Sequence, residues 1–180
     1  MKKNETVYFD KGGPANTQAT LEAARVRAAD AQPAALVVAS TSGKTALVAA
    51  KTFAGTGIRI IAVPFQKHLW DEYGAPDPKI VAECRAMGVE FLPEEPPVAM
   101  LDSGHPEIVN AWRTVSEGFK VALQVSSMCV DAGLLKPGSR VIGVGGSGTG
   151  ADTAIVLKTY GSRAVLKSRV QEIIAMPAGR

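Results

Sequence analysis

Two short apolar runs, residues 34–39 (AALVVA) and 58–63 (IRIIAV), constrain this chain more than any other feature. Runs of this length without strict alternation mark strands covered on both faces, as in a parallel sheet. Between them Ser40-Thr41-Ser42-Gly43 breaks the first run, and Lys44 to about Ala54 carries a helical pattern that Gly55 and Gly57 close. The segment is therefore a β-α-β unit, and such parallel crossovers are right-handed in nearly all cases.

The flanking sequence extends the same alternation. Residues 6–9 form a short β-prone stretch, Lys11-Gly12-Gly13-Pro14 is a turn signal, and Asn16-Thr17 caps a helix over 17–31. Leu21, Ala24, Ala28 and Ala31 share the core-facing stripe of that helix. Residues 64–78 are irregular, aromatic and polar. A helix follows over 79–87, with Gly88 as its cap and a short strand at 89–92. Residues 93–106, rich in Pro, Glu and Gly, read as a loop, with Glu94 and Glu95 in solvent. Residues 107–134 are helical with a break near Gly118. Val121, Val125, Met128, Cys129 and Ala132 form a core stripe in its second half. Residues 140–144, 153–158 and 171–176 are strand-like, and the connection at 161–169 is too short for a usual helical crossover, so the last strands pair antiparallel. Together these elements predict a three-layer α/β/α sandwich around a mainly parallel sheet, with residues 1–180 as a single domain.

Composition adds exclusions. Apolar residues make up 46% of the chain and charged residues 21%, a globular balance. The net charge of +3, from 20 basic and 17 acidic side chains, carries no basic block or basic-aromatic stripe, which argues against nucleic acid and suits a small anionic ligand. Cys84 and Cys129 are isolated, and each reads as a buried reduced thiol. His68 and His105 lack metal-ligand spacing, so no metal is expected. Without an apolar leader or a membrane-length segment, the expected compartment is the cytoplasm, with no membrane partner.

Two loops carry the candidate chemistry. Ser40, Thr41, Ser42, Gly43, Lys44 and Thr45 follow a buried strand and open a helix, where free N–H groups and the helix dipole favour an anion such as phosphate. The loop has the ending of a nucleotide-binding P-loop, but Val38 stands where its first glycine belongs, which excludes that motif. A plain helix cap at Ser40 or Thr41 is the alternative. The second loop, Gly143-Val144-Gly145-Gly146-Ser147-Gly148-Thr149-Gly150-Ala151-Asp152-Thr153, contains a G-x-G-x-x-G spacing. A β-branched strand follows it instead of a long helix, so it is not a dinucleotide fingerprint. It reads as strand, glycine loop and return strand. Gly146, Ser147, Gly148, Thr149, Gly150, Asp152 and Thr153 are its ligand-facing candidates, and a bare turn is the alternative. If the strands that feed the two loops are parallel neighbours, the loops share one rim, where ligands of open α/β sheets bind. Phe65, His68, Trp70 and Tyr73 could overhang that rim and stack on a flat ring, or simply pin a surface loop.

The segments VYFDKGGPANTQATL at 7–21, LVVASTSGKTA at 36–46, VIGVGGSGTGADTAIVLK at 141–158 and QEIIAMP at 171–177 resemble the C-terminal domain of pyruvate kinase, above all a family of stand-alone relatives of that domain. The resemblance implies the fold of that domain and FMN as the phosphorylated ligand. The phosphate would be held by Ser40 to Thr45, Gly146 to Thr153 would line the other side, and Asn16 and Thr17 either reach the ligand or cap their helix. It also implies no pyruvate kinase activity, since that chemistry belongs to a barrel domain this sequence does not resemble. A flavin-dependent redox role is one reading. A non-catalytic sensor or regulatory module for a sugar phosphate or nucleotide is the other, and an assembly partner for a larger enzyme is a third. No acid, base or nucleophile constellation decides whether the chain is an enzyme, and a homo-oligomer is compatible with the resemblance.

Overall fold

The computed structural model describes residues 3–93 and 105–179. Seven strands form one sheet: β1 (Val7–Phe9), β2 (Leu36–Ala39), β3 (Ile60–Val63), β4 (Glu90–Phe91), β5 (Ser139–Gly145), β6 (Thr153–Thr159) and β7 (Arg169–Pro177). Their spatial order is β1-β7-β6-β5-β2-β3-β4. Pairing is parallel throughout except at β6, which runs antiparallel to both β5 and β7. The mainly parallel sheet and the antiparallel ending agree with the sequence pattern.

The helices are α1 (Thr17–Ala31), α2 (Lys44–Thr52), α3 (Trp70–Tyr73), α4 (Pro78–Ala86), α5 (Pro106–Arg113) and α6 (Glu117–Asp131). Alternate residues of β2 show why both sheet faces are covered. Leu36 and Val38 pack with Leu21, Ala24 and Ala28 of α1, Ala46 and Ala49 of α2 and Cys84 of α4. Val37 packs with Ala122, Val125, Met128 and Cys129 of α6 on the opposite face. A strand buried on both sides has no polar face to alternate with, hence the continuous apolar run. The result is the three-layer sandwich.

Three local readings need correction. The long helix over 107–134 is two helices, and the break falls at Thr114–Ser116, not at Gly118. Ser116 caps α6, its Oγ accepting from Phe119 N at 2.9 Å, and a capping hydroxyl ends any continuous helix across that point. The stretch at 64–78 is not wholly irregular, since Lys67–Leu69 forms a 3-10 turn that runs into α3. Pro106 is the first residue of α5, a position where its missing N–H costs nothing. Glu94 and Glu95 lie outside the described residues. Cys84 and Cys129 are buried free thiols. No helix among the described residues is long and apolar enough to cross a membrane.

Candidate functional site

The strand order places the two loops together. β2 and β5 are parallel neighbours, with Val38 registered against Val144, so the loops leaving Ala39 and Gly145 emerge side by side at the same end of the sheet. Here the strand order also reverses. The chain moves outward from β2 to β3 and β4 over the α2 face, and later returns to β5 from α6 on the other face. In open α/β sheets a reversal of this kind is where a ligand crevice forms, beyond the carboxyl ends of the strands.

Further elements converge on this rim. α1 and α2 start just after β1 and β2. α4 is tied in by Asp77 N, which donates to Ser42 O at 3.3 Å. The start of α6 is tied in by Ser116 Oγ, which lies 3.3 Å from Thr153 Oγ1. Four helix N-termini therefore gather at one edge of the sheet, where their positive dipole ends favour an anion, although side-chain caps already take some of their N–H groups at α2, α4 and α6.

The first loop is built on its own hydroxyls. Ser40 is buried. Its N–H donates to Val63 O at 3.0 Å, and its Oγ accepts from Ala46 N at 3.1 Å, satisfying one orphan donor of α2. Thr41 Oγ1 accepts from Phe65 N at 2.9 Å and so attaches the 64–69 segment to this loop. Ser42 Oγ accepts a long bond, 3.4 Å, from Lys44 N. Gly43, the N-cap, has φ +88, and a Cβ there would stand 2.9 Å from Ile80 Cγ2 of α4. Both facts require glycine. Thr45 is buried while Lys44 is exposed, so the lysine is the mobile charge at this end of α2.

In the second loop the structure separates the candidates by burial. Ser147 and Gly150 are half-buried, and Gly148 and Thr149 are exposed at the tip. Gly146 is buried against the backbone of Gly150, where a Cβ would meet the Gly150 carbonyl oxygen at 2.5 Å. Asp152 and Thr153 are fully buried. Asp152 Oδ2 accepts from Gly13 N at 2.8 Å and from Ser147 N at 2.9 Å, while Oδ1 accepts from the Thr153 hydroxyl at 2.8 Å. Thr17 Oγ1 accepts from Ala151 N at 3.0 Å. Asp152, Thr153 and Thr17 thus hold the loop in place from beneath, whereas Ser147, Gly148 and Thr149 present its outer surface.

Two groups at the rim were not legible as site components. The first is the 11–13 segment, read in the sequence only as a turn, whose partner Asp152 is 139 residues away along the chain. The second is a charged cluster at the start of α6. Lys120 Nζ lies 3.0 Å from Glu117 Oε1, and Arg113 Nε lies 2.9 Å from Glu117 Oε2. Burial works to raise the Glu117 carboxyl, but the bonds and charges of Lys120 and Arg113 outweigh it and hold the group below its ordinary value.

The aromatic candidates divide as well. Trp70 Nε1 donates to Phe65 O at 2.8 Å, which folds the segment onto itself, while His68 is exposed. Among the described residues no cluster of three His, Cys, Asp or Glu side chains could hold a metal ion. A groove of about 620 Å³ lies between Arg25–Pro33 and the Thr56–Ile58 turn, at the amino ends of the strands and away from both loops. In a comparison with known families, the family model described as "Pyruvate kinase, alpha/beta domain" aligns with residues 18–157, most of the chain.

Proposed function

Because this chain belongs to the pyruvate kinase alpha/beta domain family, we propose that it binds a phosphorylated small molecule, FMN foremost, in the crevice between the β2 and β5 loops. The observation that carries this reading is the adjacency of those loops at the reversal of strand order, fed by four helix N-termini. The donor set fits a phosphate. Lys44 supplies a mobile cation, the first turn of α2 supplies N–H groups, and Ser42 supplies a hydroxyl engaged, among the described residues, by one long bond from Lys44 N. Ser147 and Thr149, with Gly148 between them and Gly146 and Gly150 on either side, let a ligand approach the second loop closely. The 64–69 segment, attached through Thr41, brings Phe65 as a source of an aromatic surface for a ring. If FMN is bound, the flavin supplies electron transfer and the protein supplies orientation and exclusion of water.

A second reading, binding without catalysis, is favoured by Asp152. The carboxylate of the glycine loop is fully engaged with Gly13, Ser147 and Thr153, and so is not presented to a substrate as acid or base. In that reading the chain is a sensor or regulatory module for a sugar phosphate or nucleotide.

The visible absorption spectrum of the purified protein, with mass analysis of what heat releases, tests the flavin. Bands of a bound flavin and the mass of FMN support it. A colourless protein that takes up no added FMN refutes it and directs titration to sugar phosphates and nucleotides.

A further inference from the structure

We infer that the N-terminal segment Lys11–Gly13 is a third wall of the crevice, that Lys11 is its second ligand-facing cation, and that Asp152 is the positioning residue that fixes this wall. The inference rests on the phosphoryl-ligand reading above and extends it to a part of the chain remote from both loops.

Although β1 lies at the far edge of the sheet, three places from β5, the residues after it do not stay there. They cross the tops of β7 and β6 until Gly13 N reaches Asp152 Oδ2 at 2.8 Å. Gly12 lies directly against the glycine loop: a Cβ on it would stand 3.0 Å from Ser147 Oγ and 3.0 Å from Asp152 Oδ2. One carboxylate oxygen thus accepts from both sides of this seam, Gly13 on one and Ser147 on the other. A carboxylate with no exposed surface requires such partners, since an unpaired buried charge is costly. It is therefore a fixed node and not a free ligand group. The side chain of Asn16 closes the turn by donating to Lys11 O at 2.7 Å, and the Lys11 side chain is exposed one residue before Gly12, which packs on Ser147. With Lys44 on the other loop, a Lys11 turned toward the crevice gives it a lysine at each of two walls, as a phosphorylated ligand with a second polar end would use.

A purely structural Asp152 would also hold this seam, so the test must read ligand binding through Lys11. FMN is titrated by flavin fluorescence into the wild-type chain, Lys11→Gln, Asp152→Ala, Asp152→Asn and the Lys11→Gln/Asp152→Ala double variant, with melting temperatures taken alongside. Lys11→Gln is expected to weaken binding roughly tenfold at unchanged melting temperature, the scale of one charge-assisted hydrogen bond. Asp152→Ala is expected to weaken it at least as much. The double variant should bind no worse than Asp152→Ala alone, because the lysine acts only when the wall is in place. Asp152→Asn, which keeps an acceptor for the two N–H groups, should restore much of the loss. In the absence of ligand, trypsin should cut after Lys11 faster in Asp152→Ala than in wild type. Additive losses, an unchanged Lys11→Gln affinity or a trypsin-resistant Asp152→Ala chain would overturn the inference. If wild type ignores FMN but its Gly43 and Ser147 amide resonances move with inorganic phosphate, the flavin falls and the same cycle on phosphate decides the wall. A chain that responds to neither overturns both.

Discussion

Replacing Gly118 by alanine sets a gain in helix propensity against a steric cost, and the structure decides the sign. In an exposed helix the change would stabilise by about 1 kcal/mol. Gly118, however, lies in the first turn of α6 pressed against the start of β6, where a Cβ would collide with Thr153 Oγ1 and stand 2.5 Å from Asp152 Oδ1. Neither neighbour can yield cheaply, because both are fully buried and Asp152 is held by three bonds. Forcing a carbon into a packed interior costs about 1–3 kcal/mol. Pulling a buried acceptor off one of its donors adds about 1–3 kcal/mol. The net expectation is a loss of about 1–5 kcal/mol, so crowding wins over propensity. Gly145→Ala makes the same contact from the sheet side, where its Cβ would strike the Gly118 carbonyl and come within 2.9 Å of Ala122 N, and should cost at least as much. Urea unfolding followed by circular dichroism measures both, as a lower midpoint at unchanged m-value. A Gly118→Ala midpoint equal to or above wild type would refute the close packing of α6 on β6.

Lys44→Ala should weaken FMN binding roughly tenfold without lowering the melting temperature, since the side chain is exposed and its loss removes one charged donor; calorimetric titration reads the change. The hydrogen bonds from Arg59 hold the Glu90 carboxyl below its ordinary value of 4.5, so this pair stabilises the fold above that pH and the contribution fades as acid protonates Glu90. Melting temperatures of Arg59→Met and wild type should accordingly differ more at neutral pH than in acid, the gap narrowing below about 4.5 to what the loss of the Arg59 bond to Leu134 O leaves, with solvent exposure of both groups keeping the pH-dependent part small. Burial pushes the Cys129 thiol up to about 12 and also raises Cys84. Neither should react with a disulfide reagent in the native protein at pH 8, and both should react on unfolding, as counted by released chromophore.

What the sequence disclosed and what it hid follow from the range of the interactions. The β2-α2-β3 unit was readable because a strand buried on both faces leaves an apolar run, and a helix opening after Ser40–Gly43 leaves a turn signal. The shared rim was inferable once β2 and β5 were taken as parallel neighbours. Asp152 was read as a ligand contact from its place in a glycine loop, yet its role depends on Gly13, which no local pattern connects to it. By propensity alone the break before α6 falls at Gly118, because glycine is the stronger breaker. Ser116, with its capping hydroxyl three residues before Phe119, carried the better signal. Lys120 looks like a surface lysine in any helical pattern, and only the packing around α6 makes it a buried partner of Glu117.

The pairing of β1 with β7 joins nearly the first described residues to nearly the last, with Val7 registered on Ala175 and Ala178 N bonded to Phe9 O. On a ribosome β1 must therefore wait for β7, made about 160 residues later. The remaining layers can assemble as they emerge, and Gly13 can meet Asp152 once the glycine loop is made, but β1 itself pairs only when β7 has been translated, so this edge of the sheet is the last piece to close.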